Sequence, residues 1–126
     1  MIVKKYMTPN PVTVTPEDDV RATFNLLFEH GFRQAPVVKD GKLVGIVTDR
    51  DLRTAIAHIT PESHITVGDV MTSDPITVTE YTSIEKAARM ICHHKFNALP
   101  VTSDMGELVG IITTIDILEG LLDVYV

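Results

Sequence analysis

The sequence predicts an α/β fold built from two βαββα units packed face to face. Three observations carry that prediction. The chain repeats itself, each repeat alternates strand-like with helix-like spacing, and neither repeat is long enough to bury a sizeable core alone.

The repeat is read first. "MTPNPVTVT" (residues 7–15) returns as "MTSDPITVT" (71–79), and the same register runs through "APVVKD" and "LPVTSD" until one extra residue, Met105, shifts it. About a third of the paired positions are identical, against roughly one in fifteen expected of unrelated sequences at average usage. Duplication explains this, with residues 1–57 as the first unit, 58–69 as a packed linker and 70–126 as the second unit.

Each element follows from local spacing. "PVTV" and "PITV" alternate β-branched residues after a proline that cannot extend a helix, so a short strand is predicted at each. Val20, Thr23, Phe24, Leu27 and Phe28 then fall at i, i+3, i+4, i+7 and i+8, and Ile84, Ala87, Ala88, Ile91 and Cys92 repeat the pattern. Such spacing is one buried helical face per repeat. Thr82 and Glu85 have the spacing of a capping box at the second of these helices, and Gly31 suits the left-handed stop after the first. Asp40-Gly41 closes a hairpin between "QAPVVK" and "KLVGIV", with Asp104-Met105-Gly106 as its three-residue counterpart. "GIVTDRDL" (45–52) and "GIITTIDI" (110–117) then run from strand straight into a second helix. The stretch "HITPESHITVGD" (58–69) holds Pro61 and Gly68 and lacks helical period, so it reads as an ordered linker.

Composition narrows the function. The chain has 126 residues, 44% hydrophobic, with a formal net charge of -6. Electrostatic capture of nucleic acid needs clustered lysine and arginine, which an acidic chain does not supply, and 6% aromatics without tryptophan offer no stacking platform for single strands. Cys92 is the single cysteine, so an intramolecular disulfide is excluded and a reducing, cytoplasmic setting is expected. The start "MIVKKYMT" lacks a signal-peptide apolar stretch, and no run approaches the roughly 20 apolar residues of a membrane span.

The doubled junction is where chemistry concentrates. A strand ending at Thr48 with a helix starting at Asp49 leaves unpaired backbone N–H groups and a positive partial charge at the helix start. Asp51 follows Thr48 by three residues, and Asp116 follows Thr113 in the same way. That spacing fits a capping box worth about 1 kcal/mol. Spacing alone favours the cap, but it also fits a carboxylate accepting both hydroxyls of a ribose, as acidic residues do in dinucleotide folds. Gly45 and Gly110, inside the preceding strands, mark close approach by another backbone or by a ligand.

Taken together, "MTPNPVTVTPEDDV", "FRQAPVVKDGKLVGIVTDRDL", "MTSDPITVTEYTSIEKAARM" and "FNALPVTSDMGELVGIITTIDI" resemble tandem CBS domains, the cystathionine β-synthase type paired as a Bateman module. The resemblance covers essentially the whole chain. It implies a pseudo-two-fold, disc-like α/β module whose clefts between the two units bind AMP, ADP or ATP as a regulatory ligand, with S-adenosylmethionine and NAD as alternatives sharing the adenosine handle. It further implies that Thr48 with Asp51, and Thr113 with Asp116, hold ribose, and that a basic residue at the position of Arg33 meets phosphate. Arg50 joins it as a phosphate candidate, since an arginine offers a bidentate, always charged fork. The second repeat has Asn97 and Ile115 at these two positions, so phosphate binding is expected at the first junction and only weaker or nucleoside binding at the second. Adenine walls fall, by the same resemblance, to Ile76 and Val12, with Ala35 and Leu99 as further candidates; each is equally a core residue by composition.

Two other classes were weighed against sensing. An enzyme would have to use His58, His64, His93 and His94, with Cys92 or Asp123, but neither HExxH nor CxxC spacing occurs and no nucleophile sits beside a base. A pure assembly module would use the helices near 50–57 and 114–122, whose apolar residues include Ile115, Leu118, Leu121 and Leu122. Homodimerisation through these helices is also what the resemblance implies, and it is compatible with sensing. No catalytic, transporter or DNA-binding segment is evident, so regulation of a partner in trans is expected unless the chain is a fragment.

Overall fold

A computed structural model describes residues 1–125. In chain order the elements are α1 (Val3–Tyr6), β1 (Thr8–Pro9), α2 (Val20–His30), β2 (Gln34–Lys39), β3 (Lys42–Thr48), α3 (Asp49–Ala57), α4 (Val67–Val70), β4 (Thr72–Ser73), α5 (Ile84–His94), β5 (Ala98–Thr102), β6 (Leu108–Thr113) and α6 (Thr114–Tyr125). The fold class is mixed α/β, with two three-stranded antiparallel sheets ordered β2-β3-β4 and β1-β6-β5.

Contacts divide the chain into two compact units, but not at the boundary between the repeats. The first unit is Val12–Pro75; the second joins Met1–Pro11 to Ile76 and the residues after it. Each repeat's lead segment, a one-turn helix followed by Met-Thr, is therefore given to the unit built on the other repeat. In the second unit Val3 N donates to Thr82 O at 2.8 Å, Lys4 N to Glu80 O at 2.9 Å, and Thr8 pairs with Ile111. In the first, Val67 N donates to Asp18 O at 2.8 Å, Val20 N to Ile65 O at 3.2 Å, and Thr72 pairs with Ile46. Val3 and Val67, at equivalent places in "VKKYMT" and "VGDVMT", each enter the core of the unit they join. The stretch expected to be linker thus holds the start of α4, where Thr66 N donates to Asp69 Oδ2 at 3.0 Å.

Both long helices bury three positions of the predicted stripe, half-bury the fourth residue after its first (Phe24, Ala88) and expose its last. Val20, Thr23 and Leu27 are buried on α2, and Ile84, Ala87 and Ile91 on α5. Phe28 is 77% exposed and Cys92 is exposed as well. The i+8 position has turned about 80° from the first residue of the stripe, which carries it off the face against the sheet.

The caps differ from expectation at one helix. Asp19 caps α2, its carboxylate accepting from Arg21 N and Ala22 N, and Gly31 closes it in the left-handed region at φ 68°. At α5 the capping residue is Ser83, whose Oγ accepts from Lys86 N at 3.0 Å. The Thr82–Glu85 box does not form, because Thr82 closes the preceding turn: its Oγ1 accepts from Thr79 N at 3.1 Å.

The hairpins are as expected. Asp40 and Gly41 both take positive φ (52° and 78°), as a two-residue turn of the twist-compatible type requires. Across Asp104–Gly106, Gly106 N donates to Ser103 O at 3.0 Å. The strands expected over "PVTV" and "PITV" shrink to single parallel bridges, Val14 with Val37 and Val78 with Val101.

Candidate ligand-binding junctions

Both strand-to-helix junctions form capping boxes. Thr48 N donates to Asp51 Oδ2 at 3.1 Å while Asp51 N donates to Thr48 Oγ1 at 3.0 Å. At the second junction Thr113 N donates to Asp116 Oδ2 at 2.9 Å and Asp116 N to Thr113 Oγ1 at 3.3 Å. The structural reading of these residues is thus realised. It does not exhaust them: among the described residues neither Asp51 Oδ1 nor Asp116 Oδ1 has a hydrogen-bond partner, and all four side chains are half-buried. One oxygen of each carboxylate closes a helix, and the other remains free to accept a hydroxyl.

The first unit brings the cationic candidates to the same place. β2 and β3 are in register with Gln34 opposite Thr48, so Arg33 lies one residue beyond the junction's threonine. Its carbonyl accepts from Asp49 N at 2.8 Å, tying the segment to the first residue of α3. Arg50 is the second residue of that helix and is exposed, as is Arg33. A cation in the first turn opposes the helix dipole, so Arg50 is not there for helix stability. In the second unit Asn97 O accepts from Thr114 N at 3.0 Å, giving the same backbone frame without either arginine.

The adenine-wall candidates separate into two pairs. Val12 in the first unit and Ile76 in the second are each 37% exposed and available for contact. Ala35 and Leu99 are fully buried and belong to the cores of the first and second unit respectively.

The glycines preceding each junction have a packing explanation. A Cβ on Gly45 would lie 2.9 Å from Thr72 O and closer still to Met71 Sδ; one on Gly110 would lie 2.9 Å from Thr8 O and against Met7 Sδ. The "Met-Thr" of each lead segment is laid over the glycine of the strand it pairs with. Close backbone approach, rather than a ligand, accounts for both.

His30, His93 and His94 make ring contacts. His93 and His94 meet edge to face at 4.8 Å, and His94 stacks on Phe96 as His30 does on Phe32. Among the described residues no three His, Cys, Asp or Glu side chains gather in a metal-binding group.

A feature that sequence reasoning missed lies beside the first junction. A cleft of about 390 Å³ opens between α2 and α3, with Phe24, Leu27, Phe28 and Phe32 on its walls and Arg53 among its lining residues. Comparing the repeats position by position would have flagged it, since Phe24, Phe28 and Arg53 correspond to Ala88, Cys92 and Leu118.

Comparison with known proteins agrees with this architecture. A family model described as "CBS domain" matches residues 3–58 and again 67–123, so the chain belongs to the CBS domain family, a regulatory module present here as a tandem pair. Among solved structures it superposes on the CBS-pair protein CBSX2 of Arabidopsis thaliana, and on CBSX2 in complex with AMP, the latter with TM-score 0.86, 34% identity, and 98% and 97% of the two chains covered. The CBS domain pair of protein MJ0100 in complex with 5-methylthioadenosine and S-adenosyl-L-methionine gives TM-score 0.84 at 28% identity, covering 96% of this chain and 99% of that one. In sequence the chain is 37% identical over 114 residues to an inosine-5'-monophosphate dehydrogenase of Korarchaeum cryptofilum, but it spans 90% of itself and only 23% of that enzyme. Against the CBS domain-containing protein YhcV of Bacillus subtilis it is 30% identical, with 91% and 81% coverage. No helix of the described residues is long and apolar enough to cross a membrane.

Proposed function

We propose that the protein is a ligand-sensing CBS pair that binds an adenine nucleotide at the Thr48–Asp51 junction and passes occupancy to a partner protein in trans. The observation that carries this reading is that Asp51 Oδ1 has no partner among the described residues, at a junction whose flanking chain positions carry two exposed arginines, Arg33 and Arg50, that no helix requirement explains. Asp51 accepts ribose hydroxyls with Thr48 assisting, and Arg33 and Arg50 meet the phosphate. AMP, ADP and ATP all fit this chemistry, and the AMP complex of CBSX2 favours the first of them.

The Thr113–Asp116 junction takes a second ligand without a phosphate. Asn97 and Ile115 replace the arginines there, and the MJ0100 pair, which binds 5-methylthioadenosine and S-adenosyl-L-methionine, shows that a CBS pair accepts adenosine ligands of that kind. The protein acts in the cytoplasm as a homodimer through α3 and α6. Ligand shifts it between two arrangements only by its differential affinity for them.

Thermal melting against AMP, ADP, ATP, NAD, S-adenosylmethionine and methylthioadenosine tests the reading. A ligand at a hundredfold its Kd adds about 2.7 kcal/mol, which raises Tm by several degrees in a domain of this size. At the same ligand concentration the stabilisation is expected to fall to about 1.4 kcal/mol or less in the Asp51→Asn, Asp116→Asn double variant. No shift with any of the six, or one that both substitutions leave undiminished, would overturn it.

A further inference from the structure

The two junction helices open on equivalent residues of different chemistry. α3 starts at Asp49 and α6 at Thr114. Both hold the same backbone frame, since Asp49 N donates to Arg33 O at 2.8 Å and Thr114 N to Asn97 O at 3.0 Å. At the second junction the Thr114 hydroxyl adds a further bond to that oxygen at 3.1 Å. The frame therefore does not need an acid. Asp49 instead turns its carboxylate to Arg53, Oδ2 to Nη2 at 3.3 Å, and both residues line the α2–α3 cleft together with Arg33. An acid in the first turn suits the helix dipole, which explains why Asp49 is tolerated but gives it no reason to stand beside Arg33.

We propose that Asp49 is a specificity-determining residue that sets the Thr48–Asp51 junction for a nucleoside monophosphate over the di- and triphosphate. This rests on the nucleotide reading above and names the ligand class within it. One phosphate is met by Arg33 and Arg50, whose guanidinium groups are exposed and have no ion-pair partner among the described residues. Each further phosphate adds negative charge without adding a free cation, because Arg53, the next guanidinium along α3, is already engaged by Asp49. The Asp49 side chain is 35% exposed, so its field is only partly cancelled by Arg53 and reaches ligand in the surrounding solvent. No contact is required. Repulsion between unit charges is felt within a Debye length of about 10 Å, and it grows with the number of charges the ligand carries. The second junction, with Thr114 in place of Asp49 and neither arginine, has nothing to discriminate.

Calorimetric titration of the full chain with AMP and with ATP, both free of divalent cations, tests this, with circular dichroism confirming that each variant folds. Wild type is expected to bind AMP more tightly than ATP. Asp49→Asn and Asp49→Thr, the latter supplying the residue type of the other repeat, should each narrow the ratio of the two dissociation constants by about twofold to fivefold, chiefly by tightening ATP. Arg53→Gln leaves the carboxylate unopposed and should widen the ratio. The variant carrying both Asp49→Asn and Arg53→Gln should return close to the wild-type ratio, and raised salt should shrink the wild-type preference. A merely structural Asp49 would weaken both nucleotides alike, so an unchanged ratio in the Asp49 variants, or a wild-type preference for ATP, overturns the assignment and leaves the nucleotide reading standing. A double variant that keeps the wide ratio would make Arg53 itself a phosphate ligand and overturn the assignment as well. Binding of neither nucleotide to wild type overturns the assignment and the reading beneath it together.

Discussion

Asp51 and Asp116 each commit one carboxylate oxygen to the fold. Oδ2 accepts from the threonine amide and closes the helix; Oδ1 has no partner among the described residues. Removing the whole group therefore costs stability even without ligand. Asp51→Ala should lose about 1 kcal/mol in urea unfolding, whereas Asp51→Asn, which keeps an acceptor, should lose less than half of that. Equal losses would place the charge, not the acceptor, at the centre of the cap. Gly45 is bound by a harder constraint. With Thr72 O 2.9 Å from where its Cβ would stand, Gly45→Ala should destabilise by about 1–3 kcal/mol, and Gly110→Ala likewise. An unchanged melting temperature would mean the lead segment is not held against the strand. Spacing alone could not decide between ligand and packing at these glycines, because both require the same missing side chain.

At the scale of the element, what was legible was whatever depends on near neighbours. The helical stripes, Gly31 and the Asp40-Gly41 turn are set by period and by φ, and they stand where the residues put them. Thr82 misled because Thr and Ser at 82 and 83 are both competent caps, and the turn from Thr79 claims the first of them. Lys95 ends α5 at φ 60°, where its repeat-mate is Gly31. Lys95→Gly should therefore gain about 1 kcal/mol by relieving the left-handed strain, read as a higher urea midpoint; no gain would show the strain already offset by neighbours. The tie between α1 and α6 is invisible to any local pattern, since Tyr6 and Asp123 lie at opposite ends of the chain. Tyr6 Oη donates to Asp123 Oδ2 at 2.6 Å, and that bond, followed by desolvation and then the carboxylate's charge, pushes the phenol up from 10.0 to about 12. A raised phenol pKa means the native state favours the protonated form, so its stabilisation is fully present below pH 10 and is lost as the pH climbs through about 12. The stability gap between wild type and Tyr6→Phe should close over that window. A gap constant from neutral to strongly alkaline pH would remove the bond from the account.

For the molecule as a whole, the duplication was legible and the exchange of lead segments was not. "VKKYMT" and "VGDVMT" are near-equivalents, each able to lay a methionine over either strand glycine, so the sequence contains no local preference for staying with its own repeat. The difference between the two junctions was legible: Arg33 and Arg50 at one, Asn97 and Ile115 at the other. The capping boxes were legible from the spacing of Thr48 with Asp51 and of Thr113 with Asp116; which carboxylate oxygen each box uses was not. The most direct measurement is a calorimetric titration of wild type and Asp51→Asn with AMP and with its 2′,3′-dideoxy analogue. If Asp51 grips the paired hydroxyls, either change alone should weaken binding by roughly 10- to 100-fold, the worth of charge-assisted hydrogen bonds, and the two together should cost little more than one. Equal affinity of wild type for AMP and the dideoxy analogue would contradict the account at its centre.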